Sequence, residues 1–293
     1  MGDHDRLAER FETQRSHLRG VAYRVLGSLS EADDAVQEAW LRLRHADTSG
    51  VENLPGWLTR VVARVCLDML RARAARREQP LGLQPPGAVV DGRGRRDPEQ
   101  EALLAESVGL ALLVVLDRLA PAERVAFVLH DLFAMPFDQI APIVERSPTA
   151  TKKLASRARH RVHGTTTSPD TDRTRQRHVA DVFLAATRGG DITALLAVLD
   201  PSVVRCADRA ALPAAPAELR GAQAVAKETR VFSRRARFAR LALVDGTVGI
   251  VVAPRGRLLL AIGLAIKDDK IAEIDVIADP PRLRRLDLAV LSD

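Results

Sequence analysis

Apolar positions recur at helical spacing through the first half of the chain. In SEADDAVQEAWLRL (residues 30–43), Val36, Ala39, Trp40 and Leu43 form one stripe. Glu31, Asp34 and Glu38 line the roughly opposite side, flanked by Gln37. Ser30 with the acids after it has the form of a helix start, a small hydroxyl cap followed by a negative first turn. The next helix, about 55–77, is expected to bury Leu58, Val61, Val62, Val65 and Met69. Its polar side carries Arg60, Arg64 and Arg71, extended by Arg73, Arg76 and Arg77. Further on, Phe137, Ile140, Ala141 and Val144 repeat at i, i+3, i+4 and i+7. Ser147-Pro148 interrupts that pattern with a good N-cap and a proline suited to a first helical turn. The helix beyond it is expected to bury Leu154, Ala158 and Val162.

The pattern changes near residue 173. Two helices are predicted at about 173–188 and 191–199, an apolar segment at 202–207, and a helix near 221–233. Short alternating runs follow at 238–244, 247–253, 257–266 and 271–277. Asp245-Gly246 splits the first pair, a strong hairpin signal, and residues 267–270 split the last. This half therefore reads as α+β, with helices packed on a curved antiparallel sheet. Pro/Gly/Arg-rich residues 79–98 and polar residues 164–172 read as linkers.

The helical pair at 136–163 points to duplex DNA. Its second helix carries Lys152, Lys153, Arg157, Arg159 and Arg161 and no acid. A short helix, a tight turn and a basic second helix make a major-groove reader. A surface hairpin with a solvated basic face is the plainer alternative. The net charge of +6 and a pI near 10.0 favour a polyanionic partner without proving one. The acidic strip at 31–38 is odd on a simple DNA binder, since it repels phosphate; it suits docking to a basic protein surface, or is an ordinary solvated face. Trp57 beside the arginine-rich helix can stack an unpaired base, although such a tryptophan is more often core. The two cysteines, Cys66 and Cys206, lack metal-ligand spacing and are expected to be unpaired core residues. The charged N-terminus has no apolar signal region and no apolar run has membrane-span length, so a cytoplasmic protein with no membrane partner is expected.

With both helical blocks in view, the chain resembles the extracytoplasmic-function (ECF) sigma factors, the promoter-recognition subunits of bacterial RNA polymerase. SEADDAVQEAWLRL looks like the conserved helix of the second region, and LPGWLTRVVARVCLDMLRARAARR like the segment that engages the −10 element. LDRLAPAERVAFVLHDLFAMPFDQIAPIVERSPTATKKLASRARHRV looks like the fourth region, which reads the −35 element. The resemblance implies a multidomain chain: two all-α helical domains (region 2 at 5–78 and helix-turn-helix region 4 at 99–163), followed at 173–293 by an α+β NTF2-like cone-shaped barrel of the SnoaL-like kind. It implies core RNA polymerase, double-stranded promoter DNA and the melted −10 strand as partners. Asp34, Gln37 and Glu38 match positions that grip the polymerase clamp helices. Lys152, Lys153, Ser156 and Arg157 match recognition-helix positions facing −35 bases and phosphates, and Asn53, Trp57, Arg60 and Arg64 lie near the −10 surface. The extension is expected to tune activity in cis. The chain departs from the marks of the best-known group with such an extension: Leu83-Gln84-Pro85-Pro86 stands where Trp-Leu-Pro-Glu-Pro is expected. Asp208-Arg209-Ala210-Ala211 replaces Asp-Gly-Gly-Gly-Lys, and Asp279-Pro280-Pro281-Arg282-Leu283 replaces Asn-Pro-Asp-Lys-Leu.

Catalysis is not expected. After residue 172 the only histidine is His178, and the chain's one tyrosine is Tyr23. There is no Walker motif, dinucleotide fingerprint, metal cluster or nucleophile elbow, so no cofactor is expected. Asp208 is the one acid in the cone to watch, against the plainer expectation of a solvated strand end. A small-molecule ligand of the cone stays open. The competing reading is a one-component helix-turn-helix regulator with a ligand-binding NTF2-like domain. The acidic strip discriminates, because a lone regulator has no use for it.

Overall fold

The computed structural model describes residues 3–46, 51–78, 109–164, 170–212 and 216–291. They group into two compact units, the first from residues up to 78 with 116–159, the second from 109–115 with 160–291. The expected linker at 79–98 lies outside the described residues, as do 99–108 and 165–169.

In the first unit, α1 (Asp3–Leu26), α2 (Leu29–His45) and α3 (Leu54–Glu78) pack on one another. Phe11, Leu18, Leu26, Leu43, Leu58 and Leu67 are fully buried between them. Gly27, at φ +75°, ends α1, and Ser28 in extended geometry caps α2 by accepting from the Glu31 N–H at 3.4 Å. The cap is thus two residues earlier than Ser30, because the turn after Gly27 leaves Ser28 as the last non-helical residue. In α3 the expected core positions Val61 and Met69 are only half-buried, while Ala63, Cys66, Leu67 and Leu70 join Leu58, Val62 and Val65 in the core.

After α4 (Leu110–Leu116), α5 (Pro121–Phe127) runs into a π-helical turn at Val128–Leu132. Then come α6 (Phe137–Val144) and α7 (Pro148–His163). His130 stacks on Phe137 with ring centroids 3.9 Å apart, joining the π-turn to α6.

The second unit carries α8 (Asp170–Gly189) and α9 (Ile192–Val198). Strands β1 (Leu199–Ala207) and β2 (Glu218–Arg220) precede helices α10 (Ala222–Arg230) and α11 (Ser233–Ala236). Then follow β3 (Ala239–Val244), β4 (Thr247–Val252), β5 (Leu260–Lys267), β6 (Lys270–Ile277), α12 (Pro280–Arg285) and β7 (Leu288–Ala289). The seven strands form one sheet in the order β2-β1-β6-β5-β4-β3-β7. Two hairpins have two-residue loops, Asp245-Gly246 at φ +50° and +79°, and Asp268-Asp269 at +46° and +60°. Positive φ at both loop residues matches the twist of the flanking strands. The sheet is not wholly antiparallel as expected: β1 runs parallel to β6. The helical stretch between β2 and β3 sends the chain back, so β1 and β6 meet without a local turn. Gly249 and Gly263 face each other across β4 and β5, and a Cβ on Gly249 would lie 2.6 Å from the Ile262 carbonyl oxygen. Only glycine allows that approach. Helix α8 lays Val179, Phe183 and Leu184 against Val248, Ile250 and Ile274 of the sheet.

Candidate nucleic-acid interface

Helix α7 is held from behind and bare in front. Ser147 caps α7, its Oγ accepting from the Ala150 N–H at 3.2 Å. Glu145, in left-handed geometry at φ +57°, turns the chain out of α6. Ile140, Ala141, Ile143 and Val144 bury one face of α6. On α7 the buried stripe is Thr151, Ala155, Ala158 and Val162, with Leu154 half-buried. The stripe therefore runs through Ala155, one residue on from Leu154. That placement leaves Lys152, Lys153, Ser156 and Arg157 all exposed at i, i+1, i+4 and i+5, on one face. Arg159 points elsewhere and pairs with Asp131 at 2.6 Å.

The arginine-rich helix α3 is more committed. Arg60 is exposed and Trp57 half-buried. Asn53 serves as the helix cap: its Oδ1 accepts from the Gly56 N–H at 3.0 Å and its carbonyl from the Trp57 N–H at 3.0 Å. Arg64 donates to the Ile143 carbonyl at 3.0 Å and pairs with Glu145 at 2.6 Å. Arg71 reaches the other Glu145 oxygen at 3.0 Å. Hydrogen bonds from Arg64 and then Arg71 hold the Glu145 carboxyl below its ordinary pKa, and the same contact raises that of Arg64. Sequence reasoning missed Glu145, because its partners lie about eighty residues away and no local pattern marks it.

A second polar link joins the helices from within. Arg73 pairs with Glu31 of α2 and lies 3.8 Å from Asp117, which also pairs with Arg124 of α5 at 3.3 Å. Arg124 is only 2% exposed. Burial pushes its pKa down to about 10, partly opposed by Asp117, so it remains charged at neutral pH. Its Nε has no hydrogen-bond partner. On the acidic helix, Asp34 and Gln37 are exposed and Glu38 pairs with Arg42 at 2.9 Å.

In the second unit Asp208 is not a solvated strand end, as its side chain is 13% exposed. One oxygen accepts from the Ala278 and Asp279 N–H groups at 2.9 and 2.7 Å, the other from Ala211 at 2.9 Å. Burial raises its pKa, but the three N–H groups and Arg282 outweigh it, and the net shift is down. Asp208 ties the end of β1 to the loop after β6. Among the described residues no helix is long and apolar enough to cross a membrane.

A capped, bare-faced second helix after a short first helix and a tight turn defines a helix-turn-helix protein, and the same compact unit carries the helix with Asp34, Gln37 and Glu38. Residues 11–76 match Sigma-70 region 2, and residues 109–162 match Sigma-70 region 4. The chain is 37% identical over 287 residues to the ECF RNA polymerase sigma factor SigJ of Mycobacterium tuberculosis, covering 93% of this chain and 91% of that protein. It is also 37% identical to SigI of that organism over 206 residues, 69% of this chain and 70% of the relative. The crystal structure of SigJ covers 94% of this chain and 98% of its own, at 35% identity and a TM-score of 0.46. The chain belongs to the ECF RNA polymerase sigma factors.

Proposed function

We propose that this sigma factor binds core RNA polymerase and gives it promoter specificity through two surfaces. Lys152, Lys153, Ser156 and Arg157 read the −35 element. Lysine and arginine donate to guanine O6/N7 or to phosphate, and serine serves either. The observation that carries this reading is the shared exposure of those four side chains on a helix whose opposite face is fully committed to packing. Asp34, Gln37 and Glu38 dock the polymerase. Arg60 and Trp57 face the −10 region, and Asn53 acts there through the helix start that it caps. Arg64 reaches −10 DNA only when released from Glu145. The chain performs no chemistry of its own and works where the polymerase and promoter are.

The C-terminal unit tunes this activity in cis, with a small molecule as its signal. Support comes from α7 itself. Its residues 148–159 group with the first unit and 160–163 with the second, where the Val290 N–H donates to the Val162 carbonyl at 2.8 Å. The last residues of α7 are thus bonded within the C-terminal unit.

The test is transcription with core polymerase on promoters selected from a library randomised at −35. Lys152→Ala should lose about 1–3 kcal/mol of discrimination at one base position if Lys152 reads a base edge. An equal loss on every sequence identifies a phosphate contact instead. No loss on any sequence removes Lys152 from the interface.

A further inference from the structure

The second unit encloses a cavity of about 100 Å3 between α8, α10, α11 and the inner face of the sheet. Most of its wall is apolar, with Phe183, Phe232, Ile250 and Ile262 among the lining side chains. Of the lining residues, Leu212, Thr229 and Phe232 are half-buried, as are Leu260, Ile262 and Val276. An apolar cavity of this order stays dry and accepts a single-ring hydrocarbon.

One end of the wall is polar, with Thr187, Arg205, Glu228 and Thr229 among its lining residues. Arg205 is 3% exposed and spends its donors inside the fold. Its Nε and Nη2 donate to Glu228 at 2.9 and 2.6 Å, and its Nη1 donates to the Pro216 carbonyl at 2.8 Å and toward Ala217 at 3.4 Å. The Thr187 hydroxyl donates to the Phe183 carbonyl at 2.7 Å. Acceptor capacity is left on this end of the wall, in the second lone pairs of the Glu228 oxygens and those of the Thr187 hydroxyl.

We infer that this cavity is a binding site for a small neutral molecule with a single-ring apolar body and one hydrogen-bond donor, such as a phenolic or alcoholic hydroxyl, which donates to Glu228. A carboxylate is the wrong partner, because it would face Glu228 with Arg205 already spent. The pairing explains why a charged couple is kept in an apolar wall: Arg205 fixes the Glu228 carboxylate in one orientation through two hydrogen bonds. The inference gives a ligand class to the cis-tuning reading and rests on that reading only for its consequence in transcription; binding is a separate measurement.

The probes are p-cresol, toluene and benzoate, added to the full chain with isoleucine δ-methyl groups labelled for NMR. With p-cresol, shifts should be confined to Ile250, Ile262 and Ile274, which line the cavity, and leave Ile140 of α6 unmoved. Toluene should bind about tenfold more weakly for want of one charge-assisted hydrogen bond, and benzoate not measurably. Ala236→Phe, which projects a ring into the cavity, should abolish the p-cresol shifts while thermal unfolding stays cooperative. If that variant does not fold, the methyl map of the parent chain still decides. The inference is overturned if p-cresol moves none of the three methyl groups, if benzoate matches it, or if toluene binds equally well. A p-cresol site with no effect of p-cresol on transcription would leave the binding inference standing and count against the cis-tuning reading.

Discussion

Arg124 shows how a single residue sets the cost of holding region 4 in shape. It is buried, charged and incompletely hydrogen-bonded, with Asp117 as its nearest acid. Removing one partner of such a pair strands a charge, whereas replacing the buried member with an apolar side chain of similar length removes the desolvation penalty. Asp117→Ala should therefore destabilise the first unit, by less than the roughly 3–5 kcal/mol of a fully buried pair because the Asp117 side chain is one-third exposed. Arg124→Met should be neutral or stabilising, read from denaturant midpoints. Asp208 behaves oppositely, since its carboxylate is well solvated by backbone N–H groups. Its folded pKa lies below its unfolded value of about 3.9, so its contribution is complete above that pH and disappears as pH falls through the folded pKa. Asp208→Asn should destabilise the second unit at pH 7, and the gap from the parent chain should close below about pH 4 in acid titrations of unfolding.

At the scale of elements, Glu145 closes α3 onto α6 through Arg64 and Arg71. Glu145→Gln should weaken both pairs and speed amide hydrogen exchange in α6 and in the middle of α3, with α1 unchanged; added salt should act in the same direction on the parent chain. Nothing in the local pattern announces this closure. The elements themselves were far more legible. Ser147-Pro148 marks the start of α7, and Asp245-Gly246 marks a hairpin, because caps and two-residue loops are decided by the residues that make them. On α7, Ala158 and Val162 are buried as expected, while Ala155 takes the buried place expected of Leu154. The parallel pairing of β1 with β6 and the π-turn at Val128–Leu132 depend on contacts between distant segments or on surrounding packing. Asp208 stood out as an acid after an apolar run, and its three backbone partners were invisible until the loop after β6 was in place.

Taken whole, the chain carries a basic helix face, an acidic helix and an apolar cavity on two compact units. Family membership accounts for the order of its helical regions. The roles of individual surface residues follow from exposure and chemistry, and the competing one-component regulator predicts a different behaviour in solution. Run-off transcription with purified core polymerase, together with promoter binding by the chain alone, separates them. The sigma-factor account predicts promoter-specific transcripts only when chain and core are combined, weak promoter binding by the chain alone, and loss of core affinity in Glu38→Lys with the fold intact. Tight, sequence-specific promoter binding by the chain alone, with no association with core polymerase, would contradict it.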